Sequence, residues 1–157
     1  MAELAHIEGL DKLAWRLKQL PDRIGRNVLR GAVSAGAAVI RNEAKLKAPL
    51  YTGDVSKGHP PPGTLKRSIY QKQIAELSSL GRQVFYVGVR QGKEYQKQGK
   101  KGNLSQDAYY WKFVEFGTVN MAAHPFLRPA FEVKKMDAVS AISDYMEARI
   151  PQEVSKL

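Results

Sequence analysis

The sequence predicts an α+β fold in which a long N-terminal helix and a C-terminal helix pack on a small antiparallel sheet. Three observations carry this. Apolar residues recur at three- and four-residue spacing through residues 22–47 and again through 129–149, as in helices with one buried side. Between these stretches, Leu65–Ile74 and Gln83–Arg90 carry β-branched and aromatic residues in partial alternation, as strands do. The connection AELSSLG, closing on Gly81, is short enough for the two runs to pair as an antiparallel hairpin.

The chain has 157 residues, enough for one domain with a real core and no need of metal or disulfide staples. It contains no cysteine, which excludes a disulfide framework, a thiol nucleophile and a zinc ribbon. The opening MAELAHIEGLDKL places Glu3 and Glu8 where a secretory signal needs a basic start, so export by signal peptide is not expected. The longest uncharged apolar run, Gly31–Ile40, has ten residues, against about 20 for a membrane span. The net charge is +10, and it is unevenly spread: nine Lys/Arg against five Asp/Glu in residues 1–50, ten against four in 51–107, six against six in 108–157. A basic middle of this kind suits nucleic acid or an acidic protein surface.

In chain order, Leu10, Leu13, Leu17 and Leu20, with Trp15 beside them, predict a first helix over residues 9–20, ended by Pro21. Asp22 is the expected N-cap of a second helix reaching about Lys47, with Ile24, Val28, Ala32, Val33, Ala35, Gly36, Val39 and Ile40 on its apolar side. Small residues in GAVSAGAAVI let a helix or sheet approach closely. Residues 54–64, DVSKGHPPPGT, hold three prolines and two glycines without an apolar period, and are expected to form an exposed, flexible loop. In the hairpin, Ile69, Val84, Tyr86 and Val87 are expected to face a helix. A second flexible loop is expected over 91–106, where Lys93, Lys97, Lys100 and Lys101 form a candidate partner contact.

The most unusual stretch is Tyr109–Phe131, YYWKFVEFGTVNMAAHPFLRPAF. Its first part predicts a short helix through Phe116, capped by Ser105 or Asp107 and stopped by Gly117, with a strand as the competing assignment. The run is apolar on nearly all sides except Lys112 and Glu115, and is therefore expected to be buried between elements or between subunits. A linker over 118–124 leads to Pro125 and Pro129, the latter in the first turn of a final helix. Leu127, Phe131, Ala138, Ile142 and Tyr145 mark the inner side of that helix, and Pro151 is expected to end it.

Catalytic signals are weak throughout. His6, His59 and His124 lie far apart with no partner at metal-ligand spacing, and no nucleophile elbow or phosphate-binding loop is present. Asp22, Glu43 and Lys45 imitate a metal-dependent nuclease signature. On a helix, however, two positions turn about 200°, which points Glu43 and Lys45 apart. Glu115 and Arg128 are the expected special pair: a carboxylate among aromatics needs a partner, and an arginine across a turn can supply one.

The run into APLYTG, then LKRSI, then YYWKFVEFGT and HPFLRPAFE resembles the tail-component and head-tail joining family of long-tailed bacteriophages, which includes lambda minor tail protein Z-like tail completion proteins. The resemblance spans about Ile24–Met146 and is most specific over Val114–Ala130. Residues 54–64 interrupt the family's usual succession of TG turn and LKRSI-like strand. The resemblance implies a non-enzymatic virion protein of the head-tail junction, neck or tail, assembled in the host cytoplasm, without cofactor or membrane association. Its implied partners are its own copies in a ring and the connector, tail-tube or terminator proteins. On that view Tyr109, Trp111, Phe113, Glu115, Phe116, Gly117, Pro125, Phe126, Arg128 and Pro129 form the structural and interface set. The rival is a basic nucleic-acid-binding module using Lys93–Lys101 with Lys66, Arg67 and Lys72, so DNA contact is open though not favoured.

Overall fold

The computed structural model of the chain describes residues 10–18, 21–50, 61–91 and 108–156. Its elements are α1 (Leu10–Lys18), α2 (Asp22–Lys47), α3 (Thr64–Ser68), β1 (Ile69–Gln73), a 3-10 turn over Ala75–Leu77, β2 (Phe85–Val89), α4 (Trp111–Phe116) and α5 (Leu127–Val154). The expected α+β class holds: two long helices flank a two-stranded antiparallel sheet.

Helices α2 and α5, of 26 and 28 residues, extend about 39 and 42 Å. They run antiparallel. Val28 and Ala32 near the start of α2 share a core cluster with Met146 and Ile150 near the end of α5, and Leu13 of α1 joins them. At the opposite end Ala44 and Ala48 meet Phe126 and Ala130, together with Leu65, Ile69, Val89 and Ala108. The small residues do in the middle what their size allows. A Cβ on Gly36 would lie 2.8 Å from Ile142 Cγ1 and 2.9 Å from the Ala138 carbonyl oxygen, so α2 and α5 touch almost backbone to backbone there.

Beside this helix pair, β1 and β2 pair with Ile69 opposite Val89 and Gln73 opposite Phe85. The Gln71 amide donates to the Ser34 carbonyl at 3.1 Å and to Ser34 Oγ at 2.9 Å, which pins the sheet to α2. Residues of the same parity as Gln71 therefore face the helix. Opposite them in β2 these are Phe85, Val87 and Val89. Tyr86, expected on that side, lies on the outer face against the edge of Tyr70, at 6.1 Å between ring centroids, and Val84 shares its parity.

Other expectations are corrected. Pro21, not Asp22, occupies the N-cap of α2, its carbonyl accepting the N–H groups of Ile24 and Gly25 at 2.9 Å. Asp22 is the first helical residue, where its charge still favours the positive helix end. Leu65–Ser68, expected as strand, forms α3, because one helical turn after Gly63 (φ 79°) buries Thr64, Leu65 and Ser68 together. Thr64 thus leaves the expected 54–64 loop for the core, while residues 54–60 lie outside the described residues. Phe131 is half-exposed rather than inward. Pro151 does not end α5, which continues to Val154; a proline one turn from the end forfeits one hydrogen bond while Ile150 stays anchored in the core.

Candidate functional site

The described part of the distinctive segment folds into α4, a turn and the start of α5, and Glu115 ties them together. Helix α5 follows Phe126 at its N-cap and has no side-chain cap of its own, so its first N–H groups need acceptors from elsewhere. Glu115 supplies them. Its Oε2 accepts the N–H of Phe126 at 2.8 Å and of Leu127 at 3.0 Å, and Oε1 accepts the N–H of Arg128 at 3.1 Å. The Arg128 Nε lies 3.6 Å from Oε1, on a side chain that is 69% exposed. The expected Glu115–Arg128 pairing is therefore formed chiefly through the Arg128 backbone, with the guanidinium as an outer contribution.

This carboxylate is only 1% exposed. Burial pushes its pKa up, but the three backbone N–H donors and the Arg128 charge outweigh that and hold it below the usual carboxylate value. An acid kept ionised in this way has no proton to deliver as a general acid at neutral pH. Its role here is to fix the position of α5 against α4.

Helical period explains which side of α4 is inside. Glu115 stands one turn after Trp111, so both turn inward with Val114, while Tyr109, Phe113 and Phe116 follow one another around the outer side. The expectation that this run is buried between elements holds for only one side of it. Glu115 is buried, and Tyr109, Phe113 and Phe116 are each more than half exposed. Phe116 lies under the Arg128 guanidinium, 5.1 Å from ring centroid to Cζ. Trp111 donates from Nε1 to Gln91 Oε1 at 2.9 Å, and Ala108 donates its N–H to the Arg90 carbonyl at 3.2 Å, which anchors the segment beside the end of β2.

Gly117 closes α4 as expected. Its φ is 75°, and an added Cβ would sit 2.9 Å from the Ala123 nitrogen, so no other residue fits this turn without backbone movement. A tight turn follows, with the Thr118 N–H bonded to the Met121 carbonyl at 2.8 Å and His124 donating its N–H to the Val114 carbonyl, also at 2.8 Å. Between this turn and the end of α2 opens an apolar depression of about 530 Å³, bordered by Leu50, Leu65, Tyr109, Phe113, Met121 and His124. Pro125 is exposed ahead of the fully buried Phe126, and Pro129 lies in the first turn of α5.

Lys93, Lys97, Lys100 and Lys101, and the expected caps Ser105 and Asp107, lie outside the described residues. Among the described residues no cluster of three His, Cys, Asp or Glu could hold a metal ion, and no helix is long and apolar enough to cross a membrane. Glu43, from the nuclease-like signature, pairs with Lys47 at 3.4 Å along α2. The three N–H groups of residues 126–128 were not identifiable as functional from motifs. The available signal was indirect: a helix start at Pro125–Phe126 without Ser, Thr, Asp or Asn, and one carboxylate within reach.

Compared with known proteins, residues 11–117 match the family model described as "Bacteriophage HK97-gp10, putative tail-component". No curated protein and no solved structure matches the chain.

Proposed function

The chain belongs to this family of bacteriophage tail components, and on that premise we propose that it completes the tail or joins it to the head connector as a ring of identical copies. The observation that supports this reading is the outer aromatic face of Tyr109, Phe113 and Phe116 on a mount that Glu115 and Gly117 make rigid. Each aromatic ring can bury about 150–250 Å². Three half-exposed rings with Leu50 and Met121 thus offer a patch of roughly 400–500 Å², large for a monomer and a good part of the roughly 800 Å² per partner of a standard interface. This face belongs to the third of the sequence with balanced charge, where copies of a strongly basic protein can meet with least repulsion.

The test is assembly. Light scattering across a concentration range should reveal a closed oligomer for the native chain and a smaller species when Phe113 and Phe116 are made polar. A protein that stays monomeric at all concentrations, and joins heads to tails equally well with both rings replaced, would refute the ring.

A further inference from the structure

Among the described residues the two strands cover only part of the α2–α5 layer, and beside β2 the part they leave is largely apolar. Between β2 and α5 runs an open groove of about 460 Å³. Val33 and Ile40 of α2 form its floor, Phe85 and Val87 of β2 one wall, and Phe131 and Val139 of α5 the other. Among the described residues β1 contributes nothing to it, so β2 is the strand whose free edge borders the groove.

The ladder fixes which backbone groups lie on that edge. Arg90 donates its N–H to the Ser68 carbonyl and Ile74 to the Val84 carbonyl, both at 2.9 Å. In this register the even-numbered residues of β2 bond to β1, and the odd-numbered Phe85 and Val87 turn their N–H and C=O groups outward, while Val89, of the same parity, is buried in the core cluster and closes the edge. No described residue takes them up. The side chains of the same residues point to the α2 side, so a strand added here would place alternate side chains in the groove.

Both ends of this edge are basic. Near Val89, burial and then the charges of Arg41, Arg90 and Lys66 lower the pKa of Lys45, which marks four cations gathered in one place. Arg30 stands at the other end with Phe85 and Gln73 around a second depression, which Arg149 and Glu153 also line, the two paired with each other at 3.3 Å. Glu43, the nearest acid on α2, is engaged with Lys47.

We propose that β2 accepts an extended segment of a partner protein as a third strand, with apolar residues at alternate positions and acidic residues at its ends. A second copy of this chain is the poorer occupant, since it brings a charge of +10 to a basic edge. The proposal stands on the ladder and the groove and does not depend on ring assembly.

The experiment uses the full chain and three labelled peptides: alternating valine and threonine with aspartate at both ends, the same residues with the valines in one block, and the alternating peptide with lysine ends. Fluorescence anisotropy gives affinities, and amide hydrogen exchange gives the place. The acidic alternating peptide should bind at least tenfold more tightly than either control and slow exchange at Phe85 and Val87. Val87→Pro removes one outward N–H without touching the ladder to β1, and its demand for an extended preceding residue is already met by Tyr86. It should abolish binding and leave the fold intact. Should that variant fail to fold, Phe131→Glu, on the opposite wall and half-exposed, should abolish binding of the same peptide. Equal binding of the three peptides, no binding, or binding that survives both substitutions overturns the proposal. Self-association lost in Val87→Pro without any peptide binding also overturns it, in favour of a second copy at the edge.

Discussion

Glu115 Oε2 accepts the amide N–H of Phe126 at 2.8 Å inside a core where both residues are essentially closed to solvent. One side chain of a six-residue helix thereby caps a 28-residue helix that starts twelve positions later. Because α5 provides one side of both core clusters, this contact sets the placement of half the core.

Replacing Glu115 by Gln keeps the shape, removes the charge and turns an NH₂ group toward N–H donors. We expect a loss of about 2–4 kcal/mol at pH 7, read from urea unfolding. The pH dependence has a definite sign. The folded-state pKa lies below the unfolded value of about 4.3, so the carboxylate's contribution is complete above that value and is lost as pH falls through it toward the folded pKa. Wild type and Glu115→Gln should therefore converge in stability as pH falls below the unfolded value of about 4.3 and on through the lower folded pKa. A constant difference across that range would contradict the ionised cap.

Arg128→Ala should matter much less. Its guanidinium is largely exposed and 3.6 Å from the carboxylate, while the stronger bond comes from its backbone N–H, which the substitution keeps. A loss below about 1 kcal/mol is expected. A double-mutant cycle with Glu115→Gln should give a coupling of the same small size; coupling of several kcal/mol would mean that the side chain carries the pair.

Gly36→Ala tests the close approach of α2 and α5. In an open helix this change stabilises by about 1 kcal/mol. Here the methyl meets the Ala138 carbonyl oxygen at 2.9 Å, and backbone cannot step aside as a side-chain tip can. A net loss of about 1–3 kcal/mol is expected from thermal or urea unfolding. Gly81→Ala, with nothing within 4 Å, serves as the control and should stay within about 0.5 kcal/mol of wild type.

Phe113→Ser and Phe116→Ser separate folding from assembly. Both rings are more than half exposed, so each change should alter stability by no more than about 1 kcal/mol. Sedimentation velocity should nonetheless show weaker self-association for the double variant. Unfolding of the monomer instead would return these rings to the core.

The long elements were legible because their signals repeat. The bounds of α2 follow from seven turns of apolar spacing between Pro21 and Ala48, and the hairpin follows from two short runs with a brief connection. Where a signal spans a single turn, tertiary packing decides. Leu65–Ser68 reads as strand from residue type, yet one helical turn buries Thr64, Leu65 and Ser68 against α2 and the start of α5. Tyr86 failed by one residue, since a pattern of period two leaves parity open until a partner such as Gln71–Ser34 fixes it. Glu115 reads as a carboxylate in need of a partner, but its main partners were not legible, because they are the backbone N–H groups at the start of another element and not a side chain.

The antiparallel pairing of α2 with α5 also bears on how the chain is made. Lys47 and Leu127 are 80 positions apart, so at about 5–20 residues per second the ribosome needs roughly 4–16 s to deliver the helix that covers α2. During that interval a long helix rich in alanine and valine waits without its mate. Chains stalled before Leu127 should therefore pellet as aggregates or copurify with chaperones, whereas chains released after Val154 should remain in solution. For such a chain the burden on the folding machinery is set by sequence separation as well as by the finished fold.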